Sequence, residues 1–152
     1  QQTWKQIEDK IPGIKFNFDF WEKCQPRRST YQACRAVIAA RQQGHKYDMA
    51  MTRNIQRAYY REAKNPSDTE TLVELAANSG LDTSRFASNL EARETERCLQ
   101  DEMQQVARLG AEGMPALVLK ADNQIWPVAI DYLDAGVMLE VIELLLDRQS
   151  KQ

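Results

Sequence analysis

Cysteine and histidine are scarce in this sequence, and long hydrophobic runs are missing. The 152 residues contain three cysteines and one histidine. Three scattered cysteines do not make a disulfide scaffold, and a single histidine leaves the usual zinc sites short of ligands. The longest apolar stretch, residues 137–146, is broken by Glu140 and Glu143. Since a membrane-spanning helix needs about 20 apolar residues, the sequence predicts neither a metal site nor a membrane partner.

A large excess of charge of one sign is also absent. Lys and Arg total 20, Asp and Glu total 22, and the formal net charge is −2. This balance lacks the basic footprint that binds a phosphate backbone, so we expect no nucleic-acid partner. Arg27, Arg28, Arg35 and Arg41 could still form a local basic patch. The 43% hydrophobic content and the chain length indicate one soluble globular domain.

The first 28 residues predict a helix followed by an extended segment. Trp4, Ile7 and Ile11 stand at helical spacing from the very start of the chain. We therefore expect that Gln1 lies within a secondary-structure element and that further residues precede it. Residues 14–20 then alternate apolar and polar side chains, which is the pattern of a half-buried extended segment.

Residues 29–109 carry the patterns of successive helices. Ser29 or Thr30 offers a hydroxyl cap for the first, residues 67–70 fit a capping box, and Asp82 offers a later cap. Apolar residues recur at helical spacing and predict the buried faces. They include Val37, Ile38, Met51, Ile55, Ala58, Leu72, Leu75, Phe86, Leu90, Leu99, Met103 and Val106.

The pattern changes after Gly113. Residues 116–119 are all apolar, which favours a strand covered on both faces, and residues 125–129 predict a returning strand. Pro127 has no N–H to donate, so the second strand lies at an edge or ends early. Residues 137–145 predict a terminal helix with an apolar face wide enough for a larger sheet. We therefore expect that strands of the sheet are missing from this chain.

None of the three cysteines has the spacing of a redox pair. Cys34 shares a helical face with Val37 and Ile38, which favours a thiol in the core. Cys24 follows Lys23, and nearby positive charge could lower its pKa, so it is the candidate reactive thiol. No residue of this chain is assigned a catalytic role.

Several short motifs follow one another along nearly the whole chain. They are Pro26-Arg27-Arg28-Ser29-Thr30, Arg35-Ala36-Val37, Gln56-Arg57-Ala58-Tyr59-Tyr60, Asn65-Pro66-Ser67-Asp68, Gly80-Leu81-Asp82 and Gly110-Ala111-Glu112-Gly113-Met114-Pro115-Ala116-Leu117-Val118. In this order and spacing the sequence resembles the DsbA-like thioredoxin-fold family. The nearest branch is that of the bacterial FrnE-type and 2-hydroxychromene-2-carboxylate isomerase-like proteins.

The resemblance implies an α/β, thioredoxin-like fold with a large helical insertion and without the N-terminal βαβ portion. Residues 1–28 would be a lead-in helix and an extended segment, residues 29–109 the helical insertion domain, and residues 110–152 the C-terminal β-hairpin and helix. The family's cis-proline loop falls on Met114 and Pro115, which would bind substrate. The next position is often Thr in the family and is Ala116 here, so a hydroxyl is absent.

The redox cysteines of the family have no counterpart in this sequence. In the family's oxidoreductases a Cys-x-x-Cys pair opens the first helix, whose N-terminus lowers the pKa of one thiol while the second resolves the mixed disulfide. We therefore expect the intact protein to be a thiol–disulfide oxidoreductase acting on protein or peptide substrates. Its cysteine pair would lie upstream of Gln1, and no cofactor would be bound.

Two alternatives stay open at this point. A serine in place of the first cysteine would indicate a glutathione-dependent isomerase or transferase of the same fold. A non-catalytic helical binding module could instead hold a partner with its arginine patch or hairpin edge. That edge also makes a homodimer a reasonable hypothesis. Free cysteines and the FrnE-type resemblance favour the cytoplasm, with the periplasm as the alternative.

Overall fold

The computed structural model describes residues 1–25, 27, 29–111 and 113–149. The elements in chain order are α1 (Gln2–Lys10), α2 (Phe20–Lys23), α3 (Tyr31–Arg41), α4 (Lys46–Arg61), α5 (Thr69–Asn78), α6 (Thr83–Glu91), α7 (Arg93–Arg108), β1 (Leu117–Ala121), β2 (Gln124–Val128) and α8 (Ala135–Gln149). The chain forms two compact units, residues 1–100 and residues 101–152. The boundary between them falls within α7.

The core of the first unit is built by helices α3 to α6. Its buried residues come from one face of each helix, as the apolar spacing predicts, and from Leu81 in the segment between α5 and α6. They are Ala36, Ala39, Ala40, Met51, Ile55, Ala58, Leu72, Leu75, Ala76, Leu81, Phe86 and Leu90. Burying a leucine or phenylalanine side chain contributes about 2 kcal/mol, so this cluster is the main source of stability in the unit.

The predicted buried face of α3 is wrong in part. Cys34 is exposed, whereas Ala36, Ala39 and Ala40 are fully buried together with Ile38. Alanine adds little bulk beyond the backbone, so a face of alanines lets the neighbouring helices pack closely. Alanines and Ile38 therefore form the inward face of α3, and the expectation of a core thiol at Cys34 fails.

The predicted half-buried extended segment at residues 14–20 contains no strand of the sheet, and α2 already begins at Phe20. The rings of Phe16, Phe18 and Phe20 instead lie 4.9, 5.8 and 6.0 Å from that of Trp4. The alternation of apolar residues therefore reflects packing of every second ring around one tryptophan, not the two faces of a sheet.

Of the three helix N-caps predicted from the sequence, one is formed as predicted. Asp82 caps α6 by accepting the backbone N–H of Arg85 at 2.9 Å, which confirms that cap. The capping box at residues 67–70 is not formed, because α5 begins after Asp68 without a side-chain cap bond. Thr30 precedes α3 without one as well, and the Ser29 hydroxyl accepts the Tyr31 N–H at 3.4 Å.

The second unit contains the predicted hairpin followed by the predicted terminal helix. Strands β1 and β2 pair antiparallel, from Leu117 opposite Val128 to Ala121 opposite Gln124. The expectation that β1 is covered on both faces is wrong, since most of its residues are only half-buried. The face of α8 is largely exposed, including Val137, Leu139 and Leu144. Among the described residues, the helices are too short or too polar to cross a bilayer.

Candidate functional site

The loop that leads into β1 is the candidate site. Gly113 has a φ of +84°, a conformation that side chains with a Cβ rarely adopt, and the Met114–Pro115 peptide bond that follows is cis. Met114 is 90% exposed, more than any other large apolar residue in the described chain. A glycine turn thus presents Met114 and Pro115 to solvent at the start of the hairpin.

The backbone of this loop has unused hydrogen-bonding groups. Pairing between β1 and β2 begins at Leu117, one residue after the loop. In the described part of the chain, the N–H and C=O groups of Met114 and Ala116 have no hydrogen-bond partner. Free backbone groups beside a strand are what an added extended peptide pairs with. The loop can therefore bind a polypeptide through its main chain.

A concave surface lies beside the loop within the second unit. Its volume is about 520 Å³, and Pro115, Ala116, Val118, Val128 and Tyr132 contribute to its lining. Its described lining residues are apolar apart from glycine backbone and the Tyr132 phenol. Among these described lining residues there is no carboxylate, amine, imidazole or thiol. The described part of the site can therefore bind an apolar or peptide ligand, but it contributes no strong nucleophile and no ready acid–base group.

The three cysteines all belong to the first unit and are free thiols. Cys24 is partly buried, and its Sγ donates a hydrogen bond to the Ala63 carbonyl oxygen at 3.1 Å. Burial raises the pKa of the Cys24 thiol, and Asp68 raises it further, while Lys23 acts in the opposite direction. The positive charge of Lys23 thus lowers this pKa as expected, but burial and Asp68 outweigh it and the pKa is raised. Cys98 is half-buried on α7.

The three described arginines of the predicted basic patch are each paired with an acidic side chain. Arg27 pairs with Asp68 at 3.5 Å and Arg41 with Asp48 at 3.2 Å, so both have acidic partners. Arg35 points inward, with its side chain 12% exposed, and donates to Glu96 and to backbone carbonyls. Arg28 lies outside the described residues. Within the described ranges, no cluster of three metal-ligating side chains is found.

Sequence reasoning located the loop but missed the cavity beside it. The hairpin spacing placed Met114 and Pro115 before β1, whereas Ile130 and Tyr132 come from the segment after β2 and also line the cavity. Only three-dimensional placement brings that segment alongside Pro115. In the sequence, the signal is the apolar pair Tyr132-Leu133 between Asp131 and Asp134.

A comparison with known protein families shows to which family this chain belongs. The model of a family described as Thioredoxin matches residues 1–125. This chain belongs to the thioredoxin family. A curated protein with a similar sequence is the ClpXP adapter protein SpxH of Bacillus subtilis, 32% identical over 117 residues, which are 76% of this chain. The match covers 39% of the SpxH length, so the chain spans well under half of that relative.

Solved structures show the same fold for this thioredoxin-family chain. A candidate protein disulfide isomerase from Nitrosomonas europaea superimposes with a TM-score of 0.78 at 24% identity, over 97% of this chain and 72% of that one. The cytosolic disulfide reductase DsbM of Pseudomonas aeruginosa gives 0.70 at 24% identity, over 99% and 75%. The predicted α/β thioredoxin-like fold with a large helical insertion is therefore confirmed, as is the DsbA-like resemblance.

Proposed function

We propose that the intact protein is a thiol–disulfide oxidoreductase and that residues 113–116 hold the backbone of its protein or peptide substrate. The free main-chain groups of Met114 and Ala116 carry this proposal, because an extended substrate can pair with them without rearranging the hairpin. The neighbouring cavity, lined by Pro115 and Val128, would receive an apolar substrate side chain. Membership of the thioredoxin family supports the assignment.

The reacting sulfur atoms are assigned to a cysteine pair outside these 152 residues. One thiolate of that pair attacks the substrate disulfide, forms a mixed disulfide and releases one substrate thiol. The second thiol then attacks the mixed disulfide, which releases the second substrate thiol and leaves the enzyme pair oxidised. Cys24, Cys34 and Cys98 take no part in this cycle.

The exposed apolar surface of the second unit supports the proposal that this unit packs against a further segment of the intact protein. Val137, Leu139 and Leu144 of α8 are 46%, 59% and 61% exposed. An isolated two-stranded hairpin is marginal in water, and three or more strands give a sheet independent stability. We assign this apolar face to contact with the remaining strands of the sheet, which would bring the cysteine pair with them.

Insulin reduction followed by turbidity tests the proposal. The 152-residue chain should give no turnover with dithiothreitol above the uncatalysed rate, whereas the polypeptide encoded by the complete reading frame should give turnover. Turnover by the 152-residue chain that disappears in Cys24→Ser would contradict the proposal. So would an inactive full-length polypeptide that nevertheless carries a Cys-x-x-Cys pair.

A glutathione-dependent isomerase or transferase is the second enzymatic candidate. A solved structure of DsbM with GSH supports this candidate, because it shows GSH together with the same fold. That structure superimposes with a TM-score of 0.65 at 23% identity, over 97% of this chain and 73% of that one. A serine at the first redox position would favour this candidate, and Cys-x-x-Cys would favour disulfide exchange.

The cytosolic DsbM relative supports our proposal of a cytoplasmic protein.

A non-catalytic adapter is the candidate from a different class. The SpxH relative is described as a ClpXP adapter protein, which favours a role in holding a protein partner. An adapter should form a stoichiometric complex that is unaffected by redox state. A pull-down compared under oxidising and reducing conditions separates the two classes, and light scattering of the same sample tests the homodimer hypothesis.

A further inference from the structure

A second cavity lies within the first unit, between its aromatic cluster and its helical core. Its volume is about 320 Å³, at the lower end of the range of ligand cavities. Phe20 and Ile55 form buried parts of its wall, and Ala33 and Tyr59 are partly buried. The Phe20 and Tyr59 rings meet edge to face at 4.6 Å, which fixes that wall.

The rim of this cavity is held in place by Asn65. Asn65 is 7% exposed, its side-chain amide donates to the Gln25 carbonyl at 3.2 Å, and its Oδ1 accepts the Ser67 N–H at 3.1 Å. The first bond ties the segment before α5 to the segment after α2, and the second orders the turn at residues 65–67. The cavity is therefore preformed, and a ligand need not spend binding energy on ordering its rim.

The polar groups at the rim are neutral or already paired. Arg27 is the charged residue of the lining and forms an ion pair with Asp68 at 3.5 Å. Among the described residues, the hydroxyls of Thr30 and Ser67 and the amide of Gln56 have no hydrogen-bond partner. Hydroxyl and amide groups both donate and accept, which is what the alternating N–H and C=O groups of a peptide require.

We propose that this cavity binds one large apolar side chain of an uncharged polypeptide segment, whose backbone hydrogen-bonds to Thr30, Gln56 and Ser67. The apolar wall provides the affinity for the side chain, and the absence of an unpaired charge in the described lining disfavours an acidic or basic residue there. The inference goes beyond the proposed redox function, because it requires no cysteine.

Two variants and one control test the cavity. Ala33→Met fills it from α3, and Gln56→Ala removes the rim amide from the exposed side of α4. Arg53→Ala, also on the exposed side of α4 but outside the lining, is the matched control. The probes are N-acetyl-Gly-Phe-Gly-amide and the same peptides with Ala or Glu at the centre, titrated into the isotopically labelled 152-residue chain by NMR.

The Phe peptide should bind more tightly than the Ala or Glu peptide and shift the amide signals around Ala33 and Gln56. Gln56→Ala should weaken its binding about fivefold, which corresponds to one lost hydrogen bond. Ala33→Met should abolish binding, and Arg53→Ala should leave it unchanged.

Absence of binding at millimolar peptide, equal binding of the Glu peptide, or unchanged affinity in Gln56→Ala would each overturn the proposal. Gln56→Ala keeps the test decisive if Ala33→Met does not fold. Insulin turnover plays no part in this titration, so failure here leaves the proposed redox function intact, and failure of that function leaves the cavity intact.

Discussion

The Cys24 thiol donates a 3.1 Å hydrogen bond to the Ala63 carbonyl oxygen and thereby joins the end of α2 to the segment after α4. Ala63 has a φ of 51°, is 8% exposed and packs in the aromatic cluster of Trp4 and Phe20. The thiol acts here as a structural donor. A thiolate at this position would lose the hydrogen bond and would face a carbonyl oxygen instead.

Cys24 should therefore react slowly with alkylating agents. Burial raises the pKa of its thiol, so a smaller fraction of Cys24 is thiolate in the folded chain than in the unfolded chain. With Cys34 and Cys98 replaced by serine, the iodoacetamide rate of the remaining Cys24 should be lower than that of an unfolded control at every pH between 7 and 9. The matched variant that retains only the exposed Cys34 should react faster. A Cys24 rate above the unfolded control would contradict the structural role.

Arg35 should be the most important charged residue for the stability of the first unit. Its guanidinium donates to the Leu90 carbonyl at 2.9 and 2.6 Å, to the Ala92 carbonyl at 3.3 Å and to the Glu96 carboxylate. Arg35→Ala removes these donors from carbonyls near the end of α6. It should lower the free energy of unfolding in urea by about 3 kcal/mol.

Arg97→Ala is the control for the loss of a charge alone. The Arg97 side chain is 70% exposed and pairs with Glu94 across one helical turn. Its removal should change the free energy of unfolding by less than about 0.5 kcal/mol. Equal effects of the two substitutions would show that the inward position of Arg35 has no energetic consequence.

Thr95 should be sensitive to loss of its hydroxyl. The residue is fully buried, its hydroxyl donates to the Asn89 carbonyl at 2.6 Å, and it accepts the Gln42 side-chain amide at 3.1 Å. Thr95→Val preserves the shape but leaves the Gln42 amide without this acceptor and the Asn89 carbonyl with only the Ala92 N–H, at a cost of about 2 kcal/mol. Thr95→Ser keeps the hydroxyl and should cost less. A valine variant as stable as the serine variant in thermal unfolding would rule out a role for these bonds.

Stability should fall in acid partly through Glu96. Hydrogen bonds from the side chains of Gln100 and Arg35 lower the pKa of the Glu96 carboxyl. A lowered carboxyl pKa stabilises the folded state at pH values above the unfolded pKa, and this contribution is lost as the pH falls through the folded value. The difference in unfolding free energy between the native chain and Glu96→Gln should therefore shrink as the pH is lowered. A constant difference would contradict this linkage.

The sequence predicted elements whose apolar spacing is regular and whose partners are close in the chain. The helical faces around Met51 and Ile55, the Asp82 cap and the hairpin from residue 117 to 128 are of this kind. The thioredoxin-like fold followed from the order of short motifs, because each motif is weak but their spacing is specific.

Predictions failed where distant contacts decide the structure. Residues 14–20 alternate as a strand would, but they form no strand because Phe16, Phe18 and Phe20 pack around Trp4. Tertiary packing thus overrides the local pattern. The pKa of Cys24 depends on burial against Ala63, which is 39 residues away in the chain. The site could be predicted as far as Met114 and Pro115, and no further, because its cavity is completed by residues that follow the hairpin.

The most direct test of the central claim is the insulin-reduction rate of the full-length polypeptide with Met114→Glu, compared with Ile125→Glu. Met114 is 90% exposed at the proposed substrate loop, whereas Ile125 is 41% exposed on β2 and does not line the cavity. If the loop holds substrate, a charge at Met114 should lower kcat/KM about tenfold or more, equivalent to about 1.4 kcal/mol, while Ile125→Glu stays near the native value. Equal rates for Met114→Glu and the native protein would contradict the account.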